Sequence, residues 1–319
     1  LDFSKVTQGM KSGAKLLVRS TFRAIASFPW SRRLLNAVYL KLTASQRAFF
    51  HQAFAKTFRN SNIQARDGTW KVIFASRSIL MPLSSGNFWL DWDNAVSIVG
   101  HDIEVKQTYE TLLGLPSLKP ELFIDIGANY GTHSLLFLAH GIRAITFEPN
   151  TSCHDYFRQI CKLNHVNPKL EPVALGDREG CVDFSYPQRD TWLGSTNSEI
   201  ISKLSQREDL VTKKVEQKTL DSYSAEIAHK RTLIKIDTEG NELSVLKGAA
   251  KTLKEVKPMI IFECFGDNER TKLFGFLISQ NNSIYRLPWN PEDKAESLTA
   301  CQFLASASTN FIAIPLSVH

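Results

Sequence analysis

The stretch Leu122-Phe123-Ile124-Asp125-Ile126-Gly127-Ala128-Asn129-Tyr130-Gly131 opens a strand–loop–helix pattern. Its first five residues form a short apolar run with one acid. The glycines that follow let the backbone turn sharply and approach a ligand with no Cβ in the way. Ser134–Leu138 then has a helical apolar pattern, and Ala144–Phe147 reads as a second strand ending at Glu148-Pro149-Asn150. A helix is expected around 152–163, strands at 170–175, 181–186, 232–237 and 258–263, and one helix over 241–254. Strands alternating with helices predict a doubly wound α/β domain with a mainly parallel sheet and helices on both faces. Ligands of such sheets sit beyond the carboxyl ends of the strands, where the strand order switches, so acids at those ends are the informative residues.

The loop chemistry narrows the ligand. A dinucleotide fingerprint would place a second glycine where Asn129 stands, which argues against an NAD-linked oxidoreductase. A strand-end acid is a poor neighbour for a pyrophosphate and a good one for a cation. Seventeen residues after Gly131, Glu148 closes the next strand, where its two oxygens can accept both hydroxyls of a ribose. An acid, a glycine loop and a ribose-binding acid fit S-adenosylmethionine, whose amino and sulfonium groups are positive. The bland alternative is a plain turn with a solvated Glu148. Further on, Lys235 and Asp237 share one strand face at period two, and Leu243, Leu246 and Ala250 form the inner stripe of the next helix.

The 319 residues contain 43% hydrophobic and 22% charged side chains, a globular balance that excludes collagen-like and wholly disordered chains. No apolar run approaches the ~18–20 residues needed to cross a bilayer. Five scattered cysteines, none spaced CxxC, argue against a disulfide framework or structural zinc, so a cytoplasmic location is the default. Charge is uneven. Residues 1–60 hold eleven Lys/Arg and one acid, Asp2, whereas the remainder holds 27 bases and 31 acids. Val18, Phe22 and Ile25, then Leu34, Leu35, Val38 and Leu42 after Pro29, then Phe50, Phe54 and Phe58, recur at helical spacing. Such basic amphipathic helices lie on anionic membranes, grip polyanions, or pack on their own domain with a solvated basic face. Val72–Phe74 and Ile79–Met81, bounded by turn signals at Asp67–Gly68 and Ser85–Gly86, predict a small β element, and 104–113 a lead-in helix. The expected organisation is a helical extension over 1–60, the β element and lead-in helix over 61–120, and the α/β domain over 121–319.

At this point the chain resembles the FkbM family of S-adenosylmethionine-dependent methyltransferases. The resemblance rests on the loops at 123–131 and 147–150, Ala174-Leu-Gly-Asp177, Thr219-Leu-Asp221, the segment Ile234–Ala249, Ile260–Glu263 and Asn310–Pro315, and covers about 121–315. It implies a Rossmann-like fold and methylation of a hydroxyl oxygen, with a sugar, glycan or related small molecule as acceptor. Carried over by position, Asp125, Gly127, Ala128, Asn129 and Gly131 line the methionine part of the cofactor, Glu148 takes the ribose hydroxyls, and Asn150 is a further cofactor-binding residue. Asp177 is placed to accept from the adenine amino group, although Gly176–Asp177 also reads as a turn.

Methyl transfer is an in-line displacement, so alignment supplies most of the catalysis. A sugar hydroxyl gains from a general base or from a metal that lowers its pKa. Asp237 is the first choice for the base and Glu263 the second. Glu239 is the third available carboxylate, equally suited to a helix N-terminus. The three acids together offer an alternative role, a site for Mg²⁺ or Ca²⁺ through oxygens. His133 follows the glycine loop and is an acceptor-side candidate near the cofactor mouth, the bland alternative being a packed or solvated histidine at a helix start. Trp192 and Ser195 lie in a polar stretch, Asp190–Asn197, that reads as an acceptor-side loop, or as a surface loop with one anchoring Trp. Residues 198–218 are highly charged and are expected to be mobile or solvated. An anionic membrane is a candidate partner of residues 1–60, giving a peripheral location. One alternative is a nucleic-acid methyltransferase using the basic segment on phosphates, disfavoured because no [DN]PP[YF] follows strand 232–236. Another is a cofactor-binding scaffold without turnover that acts through its N-terminal helices, against which the carboxylates at 237, 239 and 263 count.

Overall fold

The computed structural model describes residues 17, 20–21, 28–58, 68–83, 98–188 and 190–316. The expected stripe of Val18, Phe22 and Ile25 and the turn signals at Asp67 and Ser85–Gly86 lie outside them, as do the side chains of Phe54 and Phe58. The chain divides into two compact units, 1–103 with 159–166, and 104–158 with 167–319.

In the first unit, helix α1 (Pro29–Lys41) begins with a proline, whose missing N–H costs nothing in a first turn, and ends on Lys41, favourable to the helix dipole. Helix α2 (Ala44–Phe58) is followed by a hairpin of β1 (Gly68–Phe74) and β2 (Arg77–Leu83). The Ala75–Ser76 turn has φ of 43° and 65° at its two central residues, the left-handed pair that suits a two-residue hairpin loop. Trp70, Val72, Phe74, Ile79 and Met81 are buried on alternate positions, as a one-sided sheet requires. Of the stripe expected on α1, Leu34 and Val38 are exposed, Leu35 and Leu42 are half-buried, and the fully buried apolar residue is Tyr39. Tyr39 offers more than a methyl stripe can. Its ring meets Phe50, His51 and Trp70, and its hydroxyl bonds His51 Nε2 at 2.8 Å and accepts from the Ile73 N–H at 3.2 Å. Among the described residues no helix is long and apolar enough to cross a membrane.

The second unit begins with α3 (Ile103–Gly114), β3 (Leu122–Ile126), α4 (Thr132–Leu138) and β4 (Arg143–Phe147). Then come α5 (His154–Leu163, which runs into the first unit), β5 (Lys169–Glu171), β6 (Ala174–Leu175), β7 (Gly180–Pro187), α6 (Ser198–Leu204) and β8 (Leu210–Lys218). The C-terminal part comprises α7 (Ser224–Ile227), β9 (Thr232–Ile236), α8 (Glu242–Lys247), α9 (Ala250–Glu255) and β10 (Met259–Glu263), then α10 (Asp267–Ser279), β11 (Asn282–Arg286), α11 (Ala300–Leu304) and β12 (Asn310–Pro315).

The central seven-stranded sheet has the order β11-β12-β10-β9-β3-β4-β5. The run from β10 to β5 is parallel, and β12 is antiparallel to both its neighbours. β3 and β9 are buried at every position. Because alternate residues face opposite sides, both faces of these strands are covered, as in a Rossmann-like α/β fold. The chain runs outward from β3 to β5 and returns on the other side of β3 at β9, so the switch in strand order falls between β3 and β9, in register Asp125↔Lys235 and Ile126↔Ile236.

Two expectations need correction. The strand at 170–175 splits, and β6 leaves the central sheet to pair with β8. The helix over 241–254 breaks at Gly248, where a Cβ would stand 1.9 Å from the Gly176 carbonyl oxygen. Ala250 is exposed, and the buried stripe of α8 is Glu242, Val245 and Leu246. Residues 198–218 are largely exposed or half-buried, as expected of a solvated segment, and form regular elements: β8 pairs antiparallel with β7 from Gly180↔Gln217 to Pro187↔Leu210, and Lys214 meets Asp183 at 2.9 Å. Charged side chains on a water-facing strand do not oppose backbone pairing.

Candidate active site

At the end of β3 the backbone does what the glycines permit. Gly127 has φ +78°, and a Cβ on it would lie 1.9 Å from the Asp237 carbonyl oxygen, so the loops after β3 and β9 touch main chain to main chain. Asn129 is also left-handed, at φ +49°. Its N–H donates to Glu148 Oε2 at 2.6 Å, while the Asn150 N–H donates to Glu148 Oε1 at 2.6 Å. Both carboxylate oxygens are therefore oriented by main-chain amides. Burial pushes the Glu148 carboxyl up to about 7, against the pull of those two N–H groups. Asn150 also caps the turn after β4 through Ser152. Gly131, at φ +66°, lies where the Phe157 ring would meet any Cβ.

A cleft of about 510 Å³, open solvent at its mouth included, lies at these strand ends. It is lined by Gly127, Asn129 and Glu148, by Val173, Ala174 and Leu175, by Thr191, Trp192, Ser195 and Thr196, and by Asp237, Thr238 and Asn241, among others. Other candidates stand outside this lining. Asp125 is buried and accepts from Ser134 N at 3.0 Å and Ser134 Oγ at 2.8 Å, tying β3 to α4; burial raises its pKa. Ala128 is buried and donates its N–H to Phe147. His133 Nδ1 meets the Tyr109 hydroxyl at 3.0 Å, its ring edge-on to that tyrosine. Asp177 is exposed, in the loop after β6, where its N–H donates to Ser244 Oγ.

The carboxylates of Asp237, Glu239 and Glu263 converge, with one oxygen from each lying within 4.8 Å of the others. Lys235, 3% exposed, places Nζ 2.6 Å from Asp237 Oδ2. Burial first, then the Asp237 charge, pushes Glu239 up to about 8. An oxygen-only donor set of this kind suits a hard divalent cation, though the Lys235 ammonium already engages Asp237. Glu242, to which the sequence assigned no role, builds the loop: its Oε1 accepts from Thr238 N, Thr238 Oγ1 and Gly240 N. The signal was an acid in the first turn of the helix that follows this loop.

The stretch Asp190–Asn197 straps across these loops. Thr191 Oγ1 donates to Asn129 Oδ1 at 3.0 Å, Ser195 Oγ to the Glu239 carbonyl at 2.7 Å, and Asn197 Nδ2 to the Gly240 carbonyl at 2.7 Å. Asn241 Nδ2 reaches Thr196 Oγ1. Trp192 lines the cleft while 38% exposed. Thr191, Thr196 and Asn241 had no assigned role, because their contacts join segments more than forty residues apart.

Residues 125–285 match the family model described as the methyltransferase FkbM domain. Hexuronic acid methyltransferase AglP of Haloferax volcanii is 26% identical over 161 residues, 50% of this chain and 63% of that protein. Among solved structures, methyltransferase FkbM from Methylobacillus flagellatus KT aligns at a TM-score of 0.41 and 16% identity, over 70% of this chain and 54% of that one. SMU.776, solved in complex with SAH, aligns at a TM-score of 0.36 and 10% identity, over 85% of this chain and 66% of that one. The chain thus spans less than two thirds of AglP and about half of the M. flagellatus protein. The family model takes in half of the chain, including the glycine loop, Glu148 and all three converging acids, and on that match the chain belongs to the FkbM methyltransferase family.

Proposed function

We propose that this chain is an S-adenosylmethionine-dependent O-methyltransferase whose acceptor is a hydroxyl of a sugar, a glycan or a related small molecule. The observation that carries the reading is Glu148, its two oxygens aimed by the Asn129 and Asn150 amides into a cleft shared with Asp237. The cofactor supplies an electrophilic methyl group when bound. Glu148 accepts the ribose hydroxyls, and the apolar walls of Val173, Ala174 and Leu175 take the adenine. Asp237, held in place by its ion pair with Lys235, accepts the acceptor's proton as its oxygen attacks. Glu263 and Glu239 adjoin Asp237 and are the groups through which a divalent cation would act, should turnover require one. Trp192 offers an aromatic face to the C–H face of a sugar ring, and Ser195 fixes the strap that carries it. The name of AglP, a hexuronic acid methyltransferase, supports a carbohydrate acceptor.

Isothermal titration of cofactor-free protein with S-adenosylmethionine and S-adenosylhomocysteine tests the reading, with NAD as control. Binding of either compound, lost in Glu148→Ala, is expected. Binding of NAD alone would overturn it. A panel of hydroxylated acceptors, with and without Mg²⁺, then identifies the acceptor class and the metal requirement.

A further inference from the structure

Helix α1 presents two different faces. Ser31 and Tyr39 are buried, and Tyr39 is fully engaged with His51, Trp70 and the Ile73 amide. On another face, Trp30, Leu34 and Val38 are 66%, 60% and 51% exposed. Steps of four residues on a 3.6-residue helix make these one continuous stripe. Phe28, also exposed, extends it by stacking on Trp30, ring centroids 6.4 Å apart. Exposed large side chains scattered singly are ordinary; a contiguous apolar stripe headed by a Trp marks an interaction surface.

Charge selects the occupant. Helix α1 carries Arg32, Arg33 and Lys41 and no acid, and α2 carries Arg47 and Lys56 and no acid. The first 60 residues hold eleven bases against Asp2 alone. A surface that offers an apolar interior beneath an extended sheet of negative charge is a bilayer with anionic headgroups. We infer that α1 docks in the plane of an anionic membrane surface, with Trp30, Leu34 and Val38 entering the boundary between headgroups and acyl chains. The net positive charge of the segment draws it to the anionic surface. None of Trp30, Leu34 and Val38 lines the cleft, and the inference does not depend on the methyltransferase reading.

The experiment is co-sedimentation of the full chain with vesicles of phosphatidylcholine alone, and of phosphatidylcholine and phosphatidylglycerol in equal parts. Binding to the anionic vesicles at least about tenfold tighter than to the neutral ones is expected, weakening as salt is raised. The triple variant Trp30→Ser, Leu34→Ser, Val38→Ser is expected to lose about tenfold or more of that binding. A second measurement needs no disruptive variant: brominated lipids should quench wild-type fluorescence more than that of Trp30→Phe, the difference reporting Trp30 itself. The inference falls if the chain ignores anionic vesicles, if the triple variant binds them like wild type, or if bromolipids quench both proteins equally. It also falls if the triple variant instead converts a dimer to a monomer in vesicle-free solution with no change in lipid binding, which would assign the stripe to a second copy of the chain.

Discussion

The loops after β3 and β4 and the loop after β9 lie at the same edge of one sheet, and they are held by different means. Glu148 is aimed by two main-chain N–H groups, and Gly127 is pressed against the main chain of Asp237. The acidic loop is instead shaped by side chains: Glu242 gathers Thr238 and Gly240, Lys235 holds Asp237, and Ser195, Asn197 and Thr196 reach in from the strap. One region is built by backbone and the other by side chains that converge from separate segments. The first therefore suits a constant ligand, and the second suits a reacting group that must be adjusted to its acceptor.

Substitutions that act on only one region can break this contrast. The largest effect is expected from Asp237→Asn, which should lower kcat by roughly 10²–10⁴-fold while the dissociation constant of S-adenosylhomocysteine changes by no more than about twofold. A large change in cofactor affinity would show that the two regions are not separable. Next, Glu148→Ala should weaken cofactor binding by about 100-fold in titration calorimetry, since it removes the acceptor of two charge-assisted hydrogen bonds. Its far-ultraviolet circular dichroism should stay unchanged.

A smaller effect concerns pH. The carboxyl of Glu148 is raised to about 7 in the folded chain, against about 4.3 when unfolded. Its contribution to the stability of the cofactor-free protein is therefore present in full below pH about 4 and is lost as pH rises through about 7. Cofactor affinity should run the other way, falling up to about tenfold per unit below pH 7 as the acceptor oxygens protonate. Thermal unfolding and titration calorimetry over the same pH series should show the two opposite slopes, and Glu148→Gln should flatten both. The smallest effect is expected from Thr191→Val, which removes the hydroxyl that ties the strap to Asn129. A rise in KM for the acceptor of about five- to tenfold, with little change in kcat, would place the strap on the acceptor side.

Much of the central fold was legible because it is written in local signals. Apolar runs ended by Asp125–Gly127 and Glu148–Pro149 mark strand ends, and the paired glycines mark a turn that only left-handed backbone can make. The period-two spacing of Lys235 and Asp237 likewise translates directly into an ion pair. What sequence could not supply was pairing between distant segments. Gln217 faces Gly180 across β7 and β8, Thr191 meets Asn129, and Asn241 meets Thr196, and none of these leaves a trace in local periodicity. His133 stood out by following the glycine loop, and Asp177 by its place in the motif Ala174-Leu-Gly-Asp177. The fold turns His133 toward Tyr109 and leaves Asp177 on an exposed loop, because position along a chain does not fix the direction a side chain takes.

The anchoring of Glu148 also bears on how such a chain can change over generations. The amides of residues 129 and 150 belong to the main chain, so no single codon change removes them unless it introduces proline. The strap, by contrast, hangs on the hydroxyls of Thr191, Ser195 and Thr196 and the carboxamides of Asn197 and Asn241, each of which one nucleotide substitution can erase. On the proposed reading, a lineage that drifts at these positions can explore new acceptors while keeping its hold on the cofactor's ribose.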